Sequence, residues 1–132
     1  MVIVLDTNLL VRLLARDDEE QASRVAALLE DRSAFVPLSV LLETEWVLRS
    51  VYGLGPSAVT AAFRKLLGLA GVSAEAPGRI AQALRWYEQG FDFAGALHLA
   101  TAVEVGADAL ATFDDKLRHL AARHSAGRVI EP

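Results

Sequence analysis

The 132-residue chain has no cysteine, so no disulfide framework holds it together. Hydrophobic residues make up 53% of it, yet no stretch reaches the roughly 18 unbroken apolar residues of a membrane span. No membrane role is expected. Met1 leads directly into a strand pattern, without the basic region and cleavage site of a secretion signal, so a cytoplasmic location is the expectation. Lysine is scarce: 11 of the 13 basic residues are arginine, the side chain that forks onto phosphates. A basic excess is also lacking, and the net charge of −4 argues at first against a nucleic-acid partner. If four acids are gathered at one metal, however, the remaining 13 balance the 13 bases, and the metal reverses the local sign. No linker, internal repeat or low-complexity tract interrupts residues 1–132, which are expected to form a single domain with one core.

What is present begins with Val2-Ile3-Val4-Leu5, a run expected to be a strand buried on both faces of a parallel sheet. Asp6 follows at once, where the crevice beyond the strand ends binds ligands in open α/β sheets. Either Asp6 or Asn8 is suited to cap the helix carried by Leu9, Leu10, Leu13 and Leu14. Asp17 to Glu20 fall in the first turn of a second helix, where they complement its dipole. Phe35-Val36 reads as a second strand, and Ser39 as the cap of a helix over 40–52. On that helix Glu43 and Glu45 point about 200° apart. Glu45 has Arg49 four residues on, the spacing of a surface ion pair. Glu43, with Val40, Trp46 and Val47 as helical neighbours, has no cation within a turn; a carboxylate on such an apolar face needs a partner elsewhere, such as a metal shared with Asp6.

Further helices are expected over 56–69 and 77–90, with a short edge strand at 72–74 between them. Trp86 and Tyr87 read as core or interface aromatics. Asp92 is suited to cap a helix running to Val105, its carboxylate reaching the N–H of Ala94 or Gly95. Gly95 is unusual there, since an interior helix glycine costs about 0.5–1 kcal/mol relative to alanine. His98 stands alone on its helix and reads as a packed or rim residue. A strand over 109–112 ends at Phe113-Asp114-Asp115; Asp115 is expected to cap the next helix, leaving Asp114 to the crevice, and Val129-Ile130 to form a last edge strand. Alternating strands and helices predict an α/β fold: a three-layer α/β/α domain with a central, mainly parallel sheet and right-handed crossovers.

Asp6, Glu43, Asp92 and Asp114 are thus the carboxylates expected near one end of a parallel sheet. Together they would repel one another without a cation, and hard divalent ions prefer such oxygen ligands. Two ions can clamp the attacking and leaving oxygens of a phosphodiester, so metal-assisted phosphoryl chemistry is the natural reaction.

Four stretches carry a resemblance: Val4-Leu5-Asp6-Thr7-Asn8, the segment from Ser39 to Leu48 with Glu43, the segment from Asp92 to Ala100, and Ala111-Thr112-Phe113-Asp114. Each is weak alone, but in this order and spacing the chain resembles the PIN-domain proteins, closest to the VapC-type toxins of bacterial toxin–antitoxin pairs. The resemblance implies a Mg²⁺- or Mn²⁺-dependent endoribonuclease, held inactive by a small antitoxin whose tail crosses the active-site groove, and commonly a homodimer. It implies that Asp6, Glu43 and Asp114 are acidic metal ligands and that Thr112 is the supporting polar residue beside the last acid; Asn8 and Asp115 flank these acids as further supporting residues. One position departs from the pattern. The family usually reads Asp-Phe-Ala-Asp where this chain reads Asp92-Phe93-Ala94-Gly95, leaving Asp92, one helical turn away, as the only local carboxylate. Leu9, Leu13, Leu14 and Leu29 give the first two helices more apolar surface than a small sheet covers, and a groove for an antitoxin helix is expected there. The alternative function is a catalytically inactive PIN-like module that binds antitoxin or RNA without cleaving. A haloacid-dehalogenase-like phosphatase fits less well, because Asn8 stands where its second Asp would be.

Overall fold

The computed structural model describes all residues 1–132, and the chain divides into two compact units, Met1–Ala76 and Pro77–Pro132. In the first, β1 (Val2–Val4), β2 (Ser33–Val36) and β3 (Val72–Ala74) form a parallel sheet in the order β1-β2-β3. Helices α1 (Thr7–Ala15) and α2 (Glu19–Asp31) connect β1 to β2, and α3 (Leu38–Ser50) and α4 (Pro56–Leu67) connect β2 to β3. Parallel strands joined by crossovers that advance in one direction are, by the usual right-handed rule, expected to carry their helices over one face of the sheet. The register agrees. Ile3 aligns with Ala34 and Val72, and Val36 with Ala74, on the face that holds the fully buried Leu5, Ala34 and Val36. On the opposite face Val4 aligns with Phe35 and Ser73, and Val2 with Ser33. Val2 and Val4 are each 65% exposed, which corrects the expectation of a first strand buried on both faces.

Local chemistry sets the helix ends. Asp6 caps α1, its carboxylate accepting the Thr7 N–H at 2.8 Å, and α1 closes on Arg16 in the left-handed conformation (φ 53°). Asp18 caps α2 through the Gln21 N–H at 3.0 Å, and Glu19 and Glu20 lie in its first turn as the dipole favours. Helix α3 starts one residue before Ser39, directly after Pro37, and has no side-chain cap, so the expected Ser39 cap is absent. The Glu45–Arg49 pair is present at 2.8 Å. It is not a surface pair on the glutamate's side, because Glu45 is only 3% exposed. Burying this half of the helix turns Glu43 and Trp46 (55% exposed) outward, so Glu43 lies on a solvated face rather than an apolar one.

Two polar features of the first unit have measurable consequences. The Thr60 hydroxyl on α4 is buried without a hydrogen-bond partner. Thr60→Val removes an unsatisfied group at nearly constant shape and is expected to stabilise the protein by about 1 kcal/mol, read as a higher midpoint in urea. At the turn between α1 and α2, Asp17 accepts from the Tyr52 hydroxyl at 2.6 Å and from Arg12 at 3.0 Å. The tyrosine hydrogen bond, with Arg12 beside it, holds the Asp17 carboxyl below its ordinary value, and the same bond to Asp17 pushes the Tyr52 phenol up. The depressed carboxylate stabilises the fold above its ordinary pKa of about 4 and loses that contribution as pH falls through the lowered value. The raised phenol contributes below about pH 10 and loses it as pH rises through the folded value. Tyr52→Phe should therefore flatten both the acid and alkaline limbs of a melting-temperature profile; limbs as steep as in the parent would show that the triad does not hold in solution.

The second unit pairs β4 (Leu110–Ala111) with β5 (Val129–Ile130) in parallel and contains α5 (Pro77–Glu88), α6 (Phe93–Glu104) and α7 (Asp115–Arg123). Helices α5 and α6 pack against each other, and α7 packs on β5. Trp86 stacks on Phe91 (centroids 5.7 Å) and Tyr87 meets Phe93 edge-on (5.3 Å), so both adjacent aromatics of α5 are core residues. Every ladder in the chain is parallel. No helix is long and apolar enough to cross a membrane.

Candidate functional site

In the first unit, Asp6 sits where β1 gives way to α1, and its cap uses one carboxylate oxygen. The side chain is exposed and its second oxygen has no protein partner, so capping and ligation do not compete. Asn8 is exposed in the first turn of α1, and Glu43 is exposed on α3.

In the second unit, Asp92 caps α6, accepting the Gly95 N–H at 3.1 Å, one of the two partners expected from sequence. Asp114, not Asp115, caps α7: its carboxylate accepts the Leu117 N–H at 3.0 Å. The turn explains the exchange. Thr112 accepts the Asp114 backbone N–H at 3.1 Å, holding Asp114 extended (φ −76°, ψ 100°), so that helical geometry begins at Asp115. Asp115 then lies one residue inside the helix and pairs with Arg118 at 2.7 Å. As at Asp6, the cap occupies one oxygen and leaves the other free on an exposed side chain.

Gly95 lies beside Asp92 and Leu117. A Cβ built on it would lie 3.7 Å from Asp92 Oδ2, 3.2 Å from Leu117 Cδ2 and 3.5 Å from Leu117 Cδ1. A side chain at position 95 therefore starts beside the Asp92 carboxylate and against the side chain of Leu117, the residue whose backbone N–H Asp114 holds. Neither unit by itself gathers three His, Asp or Glu side chains around a point that could hold a metal. His98 is exposed, a rim residue.

The sequence reading missed a polar cleft between α1 and α2. It has a volume of about 630 Å³ and is lined by Asn8, Leu9, Arg12, Gln21, Arg24, Val25 and Leu28. Its signal was available: Asn8 and Arg12 are four apart on one helix, and Gln21, Arg24 and Leu28 recur at helical spacing on the next. The expected apolar groove is also present in the first unit, with a volume of about 680 Å³, where Leu13, Leu14 and Leu29 meet Ala62, Leu66 and Leu69 at α4. Leu9 belongs to the polar cleft instead. A third cavity of about 430 Å³ lies in the second unit between the start of α5 and the ends of α6 and α7. Its arginines are engaged, Arg79 with Glu104 at 3.0 Å and Arg85 with Gln82 at 2.7 Å.

No curated protein matches the chain by sequence. Among solved structures, the chain is similar to VapC20 of Mycobacterium tuberculosis, described as a toxin that cleaves the sarcin–ricin loop. The two are 22% identical over 89% of this chain and 92% of that one, with a TM-score of 0.43. The PIN domain family matches residues 3–123, from β1 to the end of α7. Through that match the chain, an α/β protein with parallel strands throughout, belongs to the PIN domain family.

Proposed function

We propose that this chain is the cytoplasmic ribonuclease toxin of a toxin–antitoxin pair, hydrolysing RNA phosphodiesters with the help of Mg²⁺ or Mn²⁺. The observation that carries the reading is the family match over residues 3–123, which includes the segments containing Asp6, Glu43, Asp92 and Asp114. The proposed ligands are those four carboxylates. Their donor chemistry suits the ions: all are hard oxygen donors on exposed side chains. The three aspartates each accept one backbone N–H, which fixes the carboxylate at a helix start and leaves an oxygen available. When bound, a divalent ion would supply an activated water and offset the charge that develops on the phosphate.

The residues of the chain do the rest. Asp6 and Asp114, held by their caps, orient oxygen donors without a rotamer search on binding. Thr112 sets the backbone of Asp114. Asn8 and Asp115 are assigned flanking roles, Asn8 as a hydrogen-bond donor beside Asp6 and Asp115 as a tether of Arg118. Gly95 supplies no ligand, so the unmodified chain is expected to be a weak nuclease. The apolar groove of α1, α2 and α4 is assigned to a helix of the antitoxin, with Lys65 and Glu30 on its polar rim. Pairing as a homodimer completes the reading, and a monomer by light scattering at micromolar concentration would remove that part.

The test is a cleavage assay on RNA with Mn²⁺ and with EDTA. Slow Mn²⁺-dependent cleavage that disappears in Asp6→Ala supports a nuclease. A chain that binds its antitoxin or RNA but cleaves nothing, even as Gly95→Asp, is the non-catalytic module instead.

A further inference from the structure

Building on the nuclease reading, we propose that the polar cleft between α1 and α2 binds the sugar–phosphate backbone of single-stranded RNA, with Arg24 as its phosphate contact and Asn8 and Gln21 as neutral hydrogen-bonding partners. The cleft is placed for this. Asn8 is two residues beyond Asp6, and Arg12 lies on the same face of α1, about 6 Å further along the axis. A strand whose scissile phosphate lies at Asp6 therefore reaches the cleft without leaving the surface of α1. The positive end of the α1 dipole also lies at this mouth.

Charge singles the cleft out. The chain carries 17 acidic residues, yet none lines it. Four of the nine arginines elsewhere are tied to carboxylates: Arg16 to Glu19, Arg49 to Glu45, Arg79 to Glu104 and Arg118 to Asp115 and Glu131. Arg12, on one wall, is fixed by Asp17 and Tyr52, so its charge is largely answered and it serves as the rigid wall. Arg24 on the other wall is exposed and makes no hydrogen bond or ion pair. A free guanidinium facing an anchored one across a floor of Leu9, Val25 and Leu28 suits a chain of phosphates with sugars and bases against its apolar side. A single-stranded segment fits this better than a duplex, because bases can reach the apolar floor only when unpaired.

The experiment is fluorescence anisotropy of a short labelled oligouridylate with the full chain in EDTA, across a salt series, alongside cleavage with Mn²⁺. Arg24→Ala should weaken binding about tenfold and reduce the salt slope by about 0.7, the share of one phosphate contact on a single strand. Arg24→Lys should retain most of the slope, and the melting temperatures of all three proteins should coincide because Arg24 holds no partner. Unchanged affinity and slope in Arg24→Ala, in a chain that binds and cleaves RNA, overturn the cleft and leave the nuclease standing. No oligonucleotide binding by the parent chain overturns the cleft, whereas absence of Mn²⁺-dependent RNA cleavage by both the parent and Gly95→Asp overturns the nuclease. Displacement of the oligonucleotide by an acidic peptide of equal charge, at equal concentration, overturns the assignment to RNA and makes the cleft a site for an acidic protein segment.

Discussion

Gly95→Asp is expected to raise Mn²⁺-dependent RNA cleavage by at least tenfold to a hundredfold, the range in which even an indirect metal partner changes metal affinity or activity. The steric cost is small. The added Cβ lies 3.2 Å from Leu117 Cδ2, the far end of a flexible side chain, which must yield by a few tenths of an ångström. The backbone gains from the exchange, since glycine is a poorer helix former than aspartate and an acid three residues into α6 complements the dipole. Electrostatics oppose it, because the new carboxylate starts with its Cβ 3.7 Å from Asp92 Oδ2 and close to the residue Asp114 caps. Without metal these terms should nearly cancel, leaving the melting temperature within a few degrees of the parent's. With millimolar Mn²⁺ the variant should melt several degrees higher than in EDTA, while the parent gains less, since a ligand that binds only the folded state stabilises it in proportion to its affinity. Scanning fluorimetry and cleavage are to be read together. If Gly95→Asp folds, shows no extra metal-dependent stabilisation and cleaves no faster, position 95 is not where this domain misses a ligand.

The sequence announced those features whose cause is local. Asp92 read as a cap, and Asp6 as one of two candidates beside Asn8, because an acid or amide before an apolar helical pattern has backbone N–H groups to satisfy; Asp92 and Asp6 are the caps. The Glu45–Arg49 pair followed from spacing alone. Features decided by neighbours were less legible. Asp114 and Asp115 compete for the same helix end, and the choice is made by Thr112, whose hydroxyl takes the Asp114 N–H and sets the backbone one residue earlier. Glu43 and Glu45 were separable by angle, but which of them faces outward depends on where α1 packs against α3, something periodicity on α3 cannot say. A run of four apolar residues at β1 gives no sign of alternation, although Val2 and Val4 are exposed and Leu5 is buried. The two walls of the polar cleft were each legible as helical spacing, Asn8 and Arg12 on one helix and Gln21, Arg24 and Leu28 on the next, but that the walls face each other with no carboxylate between them is tertiary.

Asp6 is both a helix cap and a proposed ligand, and two substitutions made in the Gly95→Asp background separate these roles. Asparagine caps as well as aspartate does, its amide oxygen accepting the Thr7 N–H, so Asp6→Asn should melt close to its parent. Alanine cannot accept that bond and should lose about 0.5–1 kcal/mol. Both variants remove the negative charge, and if that charge is what holds the reaction's cation, both should lose cleavage by at least about a hundredfold, as removal of an electrostatic catalytic group does. Activity would then follow charge and stability would follow hydrogen bonding, two patterns that no single structural role produces. The same pair at Asp114, which caps α7 through Leu117 N–H, should behave alike. Full cleavage by Asp6→Asn, with loss only in Asp6→Ala and only in proportion to its lower stability, would reduce Asp6 to a cap.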